Sequence, residues 1–106
     1  MTTPLAVYDV TTDEGRRFLG TIRHSWLLDW MASEHIDPTY VVRVEINADG
    51  SQARITEQDR DDHGRRRCAR DHDHLADLGG CEVALREPYD VPIITLPPRV
   101  RKPSNA

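Results

Sequence analysis

Apolar and polar positions change rhythm along the chain, and each change marks an element. Residues 4–10 are rich in apolar and aromatic side chains, residues 11–15 supply turn formers, and Phe18, Gly20 and Ile22 then share one face of an alternating stretch. That pattern predicts an opening β-hairpin. From His24 to Ile36 the spacing becomes helical: Ser25 can cap a helix whose first turn carries Trp26 and Leu27, and Asp37-Pro38 forbids its continuation. Such a helix spreads Trp26, Trp30, Glu34, Leu27, Met31 and Leu28 over roughly 200°, about twice the stripe that one core contact needs. Part of that arc is expected to serve a partner, with Trp26 and Leu28 as candidate binding residues.

After the helix, Tyr40, Val42, Val44 and Ile46 alternate with Val41, Arg43 and Glu45, the period-two pattern of a strand with one buried face. Placing Asp49-Gly50 at the centre of a type I′ turn sets Val44 opposite Ile55 and Ile46 opposite Ala53. The same turn sets Glu45 opposite Arg54 on the other face. Slipping by one residue would turn the apolar set out to water, so the hairpin Tyr40 to Glu57 has one sensible register. From Gln58 to Gly80 the pattern disappears. Asp59 to Arg67 alone holds seven formal charges in nine residues, which reads as a solvated loop. Cys81 to Leu85 and Tyr89 to Leu96 can each form extended segments, with Pro88 and Pro92 restricting them to a sheet edge or to irregular chain. The stretch 97–106, with two adjacent prolines, Arg99, Arg101 and Lys102, has nothing to bury and is expected to be a flexible tail.

Composition narrows the function classes. Leu, Ile, Val and Phe make up about 22% of the 106 residues, just above the roughly 20% below which chains stay disordered, so one small core is affordable and two are not. With 14 basic and 18 acidic side chains there is no global basic field to hold phosphates. No apolar run approaches the roughly 20 residues that cross a bilayer. The N-terminus also lacks the charged start and apolar centre of a signal peptide, so the expected setting is the cytoplasm, with no membrane contact and reduced cysteines. Thirteen of the 14 basic residues are Arg, a skew that a GC-rich coding sequence explains without any need for phosphate recognition.

The one cluster that suggests a metal is Cys68, His72, His74 and Cys81, four ligand types that zinc accepts, with His63 just upstream. Its spacing lacks the paired C-x2-C knuckle, and a polar loop with incidental cysteines accounts for it better. No metal or other cofactor is therefore expected, with zinc as the alternative. Asp71-His72-Asp73-His74 followed by Gly79-Gly80 and Cys81 also resembles the Asp-His motif of HNH and endonuclease VII-like nucleases. That resemblance would give His72 or His74 the water-activating role and place Asp71 or Asp73 near the metal. It covers about fourteen residues, without the flanking cysteine pairs or a following helix to complete the site. Arg65-Arg66-Arg67 with Arg70 forms a basic knot, yet residues 57–77 contain five Arg against seven carboxylates, so pairing within the loop cancels much of its pull on phosphates. Phosphate loops, dinucleotide fingerprints, nucleophile elbows and H-E-x-x-H are all absent, and no catalytic residue is nominated.

The run Trp30…His35-Ile36-Asp37-Pro38…Val42-Arg43-Val44-Glu45-Ile46, then Arg60-Asp61 with Gly64-Arg65-Arg66, then Arg86-Glu87-Pro88-Tyr89-Asp90-Val91-Pro92-Ile93 and Pro97-Pro98, resembles small uncharacterised proteins of actinobacteria and their phages. The resemblance covers about two-thirds of the chain. It implies a similar helix, hairpin and proline-bounded C-terminal segment, and no activity, because none is assigned to those proteins.

Together these readings predict a single α+β domain over 1–96 with a charged loop at 58–80. Two hairpins and C-terminal extended segments form a small antiparallel sheet, with one helix packed on one face. The expected function is a non-enzymatic protein-interaction module, phage- or mobile-element-derived, that binds a host or phage protein through a sheet edge, the helix arc or the tail residues Arg99, Arg101 and Lys102. An open edge also allows a homodimer. The alternative is a nucleic-acid-associated module with a zinc-stabilised loop.

Overall fold

A computed structural model describes residues 3–69 and 82–102. The elements are β1 (Ala6–Asp9), α1 (Asp13–Phe18), α2 (Ile22–Ser33), β2 (Val41–Ile46), β3 (Gln52–Glu57) and β4 (Tyr89–Pro92). The four strands form one antiparallel sheet in the order β1-β2-β3-β4, so the architecture is α+β.

The opening hairpin is corrected: β1 pairs with β2, and the stretch that would have been its second strand holds the end of α1, a turn and the start of α2. Three alternating positions could not outweigh two helix caps. Thr12 Oγ1 accepts the Gly15 N–H at 3.0 Å and starts α1, whose first turn carries Asp13 and Glu14 and whose last turn carries Arg16 and Arg17, each complementing the helix dipole. Thr21, rather than Ser25, caps α2 by accepting the His24 N–H at 3.3 Å. There are therefore two helices, where one was expected.

α2 stops three residues short of Ile36. His35 adopts φ +60, its N–H donates to Ala32 C=O at 3.1 Å, and the Ile36 N–H donates to Met31 C=O at 2.8 Å. This is the Schellman closure, completed by the buried pair Met31 and Ile36. Its left-handed position normally falls to glycine. Replacing the exposed His35 with Gly should therefore raise stability by about 1 kcal/mol, read as a higher denaturant midpoint at unchanged slope. A fall would mean that the imidazole contributes more than its backbone strain costs.

The central hairpin keeps the predicted register: Val44 opposite Ile55, Glu45 opposite Arg54 and Ile46 opposite Ala53. The turn differs. Asn47 C=O accepts the Gly50 N–H at 3.0 Å, so Ala48 and Asp49 are central and Gly50 follows at φ +75. A type I′ turn would also need a positive φ at Asp49. Asp49 Oδ1 instead accepts from the Ser51 N–H and hydroxyl, at 2.9 and 2.6 Å, an Asx arrangement that fixes the looser loop. Register survives because the Asn47 N–H still donates to Gln52 C=O. A bulge between Val41 and Arg43 shifts the far end of the pair by one residue.

Residues 58–69 form a loop that is tied to its surroundings more than their charge suggested. Single bridges link Gln58 with Leu85, Arg60 with Arg66 and Cys68 with Val83, and both Cys68 and Ala84 are buried. β4 lies at the sheet edge, bounded by Pro88 and ending at Pro92, where a missing N–H does least harm. After Ile93, whose N–H reaches Ser51 C=O at 3.1 Å, the chain leaves the sheet, so residues 94–96 are not strand.

The core joins Leu27, Trp30 and Met31 of α2 and Ile36 to Val44, Ile46, Ala53 and Ile55 of the central strands. The alternate residues of the same strands carry charge. Arg43 bridges Asp9 at 3.5 Å and Glu45 at 3.0 Å, and Arg54 meets Asp90 at 3.0 Å. The exposed Arg54–Asp90 pair neutralises that face more than it stabilises it, while the Arg43 pairs are partly buried. Among the described residues no helix is long and apolar enough to cross a membrane.

Candidate ligand groove

α1 is too short to persist alone, so its position depends on contact. Gly15 supplies it: a Cβ there would overlap the Asp9 carbonyl oxygen and come within 2.8 Å of Val10 Cα. The absent side chain lets the helix press against the end of β1, while Phe18 reaches Tyr8 with ring centroids 5.9 Å apart. His24 meets Phe18 edge-on at 5.6 Å.

Between α1, α2 and the β1–β2 pair lies a groove of about 460 Å³. Its walls include Tyr8, Phe18, Leu19, Leu27, Leu28 and Met31, mostly apolar and aromatic. That volume falls in the range typical of ligand pockets. The groove's charged groups are Asp9, Glu14 and Arg43, with His24 beside them. Asp9 is held by Arg43 and by the Thr11 N–H at 2.9 Å, and His24 Nδ1 accepts the Gly20 N–H at 3.4 Å. Tyr8 is half-buried and burial pushes its phenol pKa up, which keeps it a neutral donor and acceptor.

The sequence-predicted binding residues are only partly brought together. Leu28 is half-buried, packs against the core and lines the groove. Trp26 faces a second, smaller pocket that shares Tyr8, Phe18 and Leu27 with the groove and is closed by Pro98, Arg99 and Val100, where the Arg99 guanidinium lies 5.4 Å from the indole centroid. Much of the arc expected to await a partner is thus covered by the chain's own C-terminal segment. Pro97, at the start of the tail expected to bury nothing, is fully buried. Arg101 and Lys102 are exposed.

The strap that does this was missed from sequence. Glu34 Oε1 accepts the Ile94 N–H at 2.8 Å, the Thr95 N–H at 2.6 Å and the Thr95 hydroxyl at 3.0 Å, and Trp30 Nε1 donates to Thr95 C=O at 3.0 Å. Burial pushes the Glu34 carboxyl up, but the Thr95 and Ile94 donors and the charge of His35 outweigh it and hold its pKa below the usual value. A carboxyl depressed on folding stabilises fully above its unfolded pKa, about 4.5, and loses that contribution as pH falls through the folded value. Acid titration followed by tryptophan fluorescence should therefore show a strap-release component that Glu34→Gln removes. Identical acid midpoints for the two proteins would contradict the clamp.

Of the metal candidates, Cys68 is buried, while His72, His74 and Cys81, with the nuclease-like residues Asp71 and Asp73, lie outside the described residues. Among the described residues no group of three or more His, Cys, Asp or Glu is placed to hold a metal ion. The basic knot is internally held where it is described: Arg65 pairs with Asp61 at 3.1 Å, Arg66 Nε donates to Gln58 Oε1, and Arg67 lies 4.0 Å from Asp59, which Arg86 also meets at 3.1 Å, while Arg60 stacks 4.1 Å from the Tyr40 ring centroid. The Tyr40 hydroxyl itself donates to Gly64 C=O at 2.7 Å. Both sheet edges are blunted. In β1 the Asp9 carbonyl accepts from the Thr12 N–H and hydroxyl, and β4 is four residues bracketed by prolines. No family model matches the chain, and neither a curated protein nor a solved structure matches it.

Proposed function

We propose that this chain is a non-catalytic protein-interaction module, working in the cytoplasm in the phage or mobile-element setting its resemblance implies. In this reading α2 lies over one face of the sheet and the charged face stays in water. The working surface is the groove beside α1, in place of the sheet edges or the tail. The observation that carries it is a concavity of about 460 Å³ with mainly apolar walls in a small protein whose other apolar arc is already occupied by its own strap. Apolar walls of this kind accept side chains of a partner, and apolar burial supplies most of the binding free energy.

Leu19 lines the groove, is 45% exposed and closes α1, so an acidic substitution there spoils the surface without entering the core. Affinity capture from a bacterial lysate, with and without nuclease, should recover a protein in near-equal amount that resists nuclease and is lost with Leu19→Asp. Recovery that is nuclease-sensitive, or equal for both baits, would contradict the reading.

A further inference from the structure

Four features of the groove together describe what should occupy it. Its walls are apolar, so the occupant brings apolar side chains. Of the charged groups lining it, Asp9 is neutralised by Arg43, and Arg43 is also held by Glu45. Glu14 has no ion-pair partner among the described residues, whereas its neighbour Asp13 is paired with Arg16. The fourth feature is the aromatic wall. Elsewhere the chain lays a guanidinium over an aromatic ring, Arg60 on Tyr40 and Arg99 on Trp26. Tyr8 and Phe18 pack on each other and Phe18 meets His24, with no guanidinium stacked on either ring among the described residues. A carboxylate without an ion-pair partner on the rim of a groove with aromatic walls is the arrangement that attracts an organic cation, through the ion pair and through the ring quadrupole.

We propose that the groove takes a peptide segment of a partner protein in which a large apolar side chain is followed closely by Arg or Lys, the apolar group entering between Leu19, Leu28 and Met31 and the cation reaching Glu14 across Tyr8 and Phe18. The proposal rests on the groove being the interaction surface. Arg is the better fit, because its planar guanidinium can stack on a ring while donating to a carboxylate. The overall acidic balance of the chain, 18 carboxylates against 14 basic groups, favours approach of a basic segment.

The test is selection of displayed random peptides on the intact protein, followed by calorimetry of the selected peptides with wild type, Glu14→Gln, Glu14→Lys and Leu19→Asp. The expected enrichment is an apolar residue with a nearby Arg or Lys. Binding should weaken about five-fold in Glu14→Gln, further in Glu14→Lys, and be lost in Leu19→Asp. Should Leu19→Asp fail to fold, Val7→Ser, at another exposed groove position, takes its place. Enriched peptides that lack a basic residue, or that bind Glu14→Lys as well as wild type, would overturn the cation while leaving the groove. Peptides that bind the groove variants unchanged, or no enrichment at all, would overturn the groove as well.

Discussion

Trp30→Ala should lower stability by about 3–5 kcal/mol, the range for truncating a buried aromatic side chain. The indole is 5% exposed, sits in the core cluster between α2 and the central strands, and donates to Thr95 C=O at 3.0 Å. It therefore joins two separate functions of α2, closing the core and holding the C-terminal strap. Against a total of roughly 5–15 kcal/mol for a domain of this size, the loss brings the protein close to unfolding. At about 4–8 °C per kcal/mol the midpoint of a thermal melt should fall by well over ten degrees. Trp30→Phe separates the two roles. It keeps most of the apolar contact and removes the donor, so it should cost about 1 kcal/mol. A Trp30→Ala protein that melts within a few degrees of wild type would mean that α2 does not close the core.

Gly15→Ala makes a sign prediction. In an ordinary helix interior this exchange stabilises by up to about 1 kcal/mol, since alanine is the better helix former. Here the added methyl would overlap the Asp9 carbonyl oxygen, a backbone atom that cannot swing aside as a side-chain tip can. α1 must then lift from β1 or deform, at a cost of about 1–3 kcal/mol for overpacking, and the groove opens with it. The denaturant midpoint should fall, while the protein keeps the β2–β3 register that α1 does not touch. A rise in the midpoint would show that α1 stands off β1 and that the groove is not formed by their contact.

What the chain disclosed in advance follows the range of the interactions involved. The β2–β3 register was legible because both faces obeyed the same pairing: Val44, Ile46, Ala53 and Ile55 inward, Glu45 and Arg54 outward. The turn type was not, because the side chain of Asp49 rather than the Asp-Gly pair alone decides it. α1 was misread although Thr12, Asp13 and Glu14 announce a helix start, because an apparent alternation at Phe18, Gly20 and Ile22 competed with them. Glu34 and the strap were invisible for a different reason. The carboxylate and its donors at Ile94 and Thr95 lie 60 and 61 residues apart, and no local pattern links them. Without the strap, Trp26 looked unpartnered and the tail looked free. The groove itself depends on the close approach at Gly15, which the sequence presents only as a helix-weakening residue.

The groove beside α1 is the proposed binding surface. The most direct measurement is an amide chemical-shift map of the wild-type protein titrated with the highest-affinity peptide from the display selection. Shifts are expected to concentrate at Tyr8, Gly15, Phe18, Leu19 and Leu28, with little change at Glu34, Thr95 and the Arg60–Tyr40 stack. Shifts centred on that stack, or on β4, with the groove residues unmoved, would contradict it.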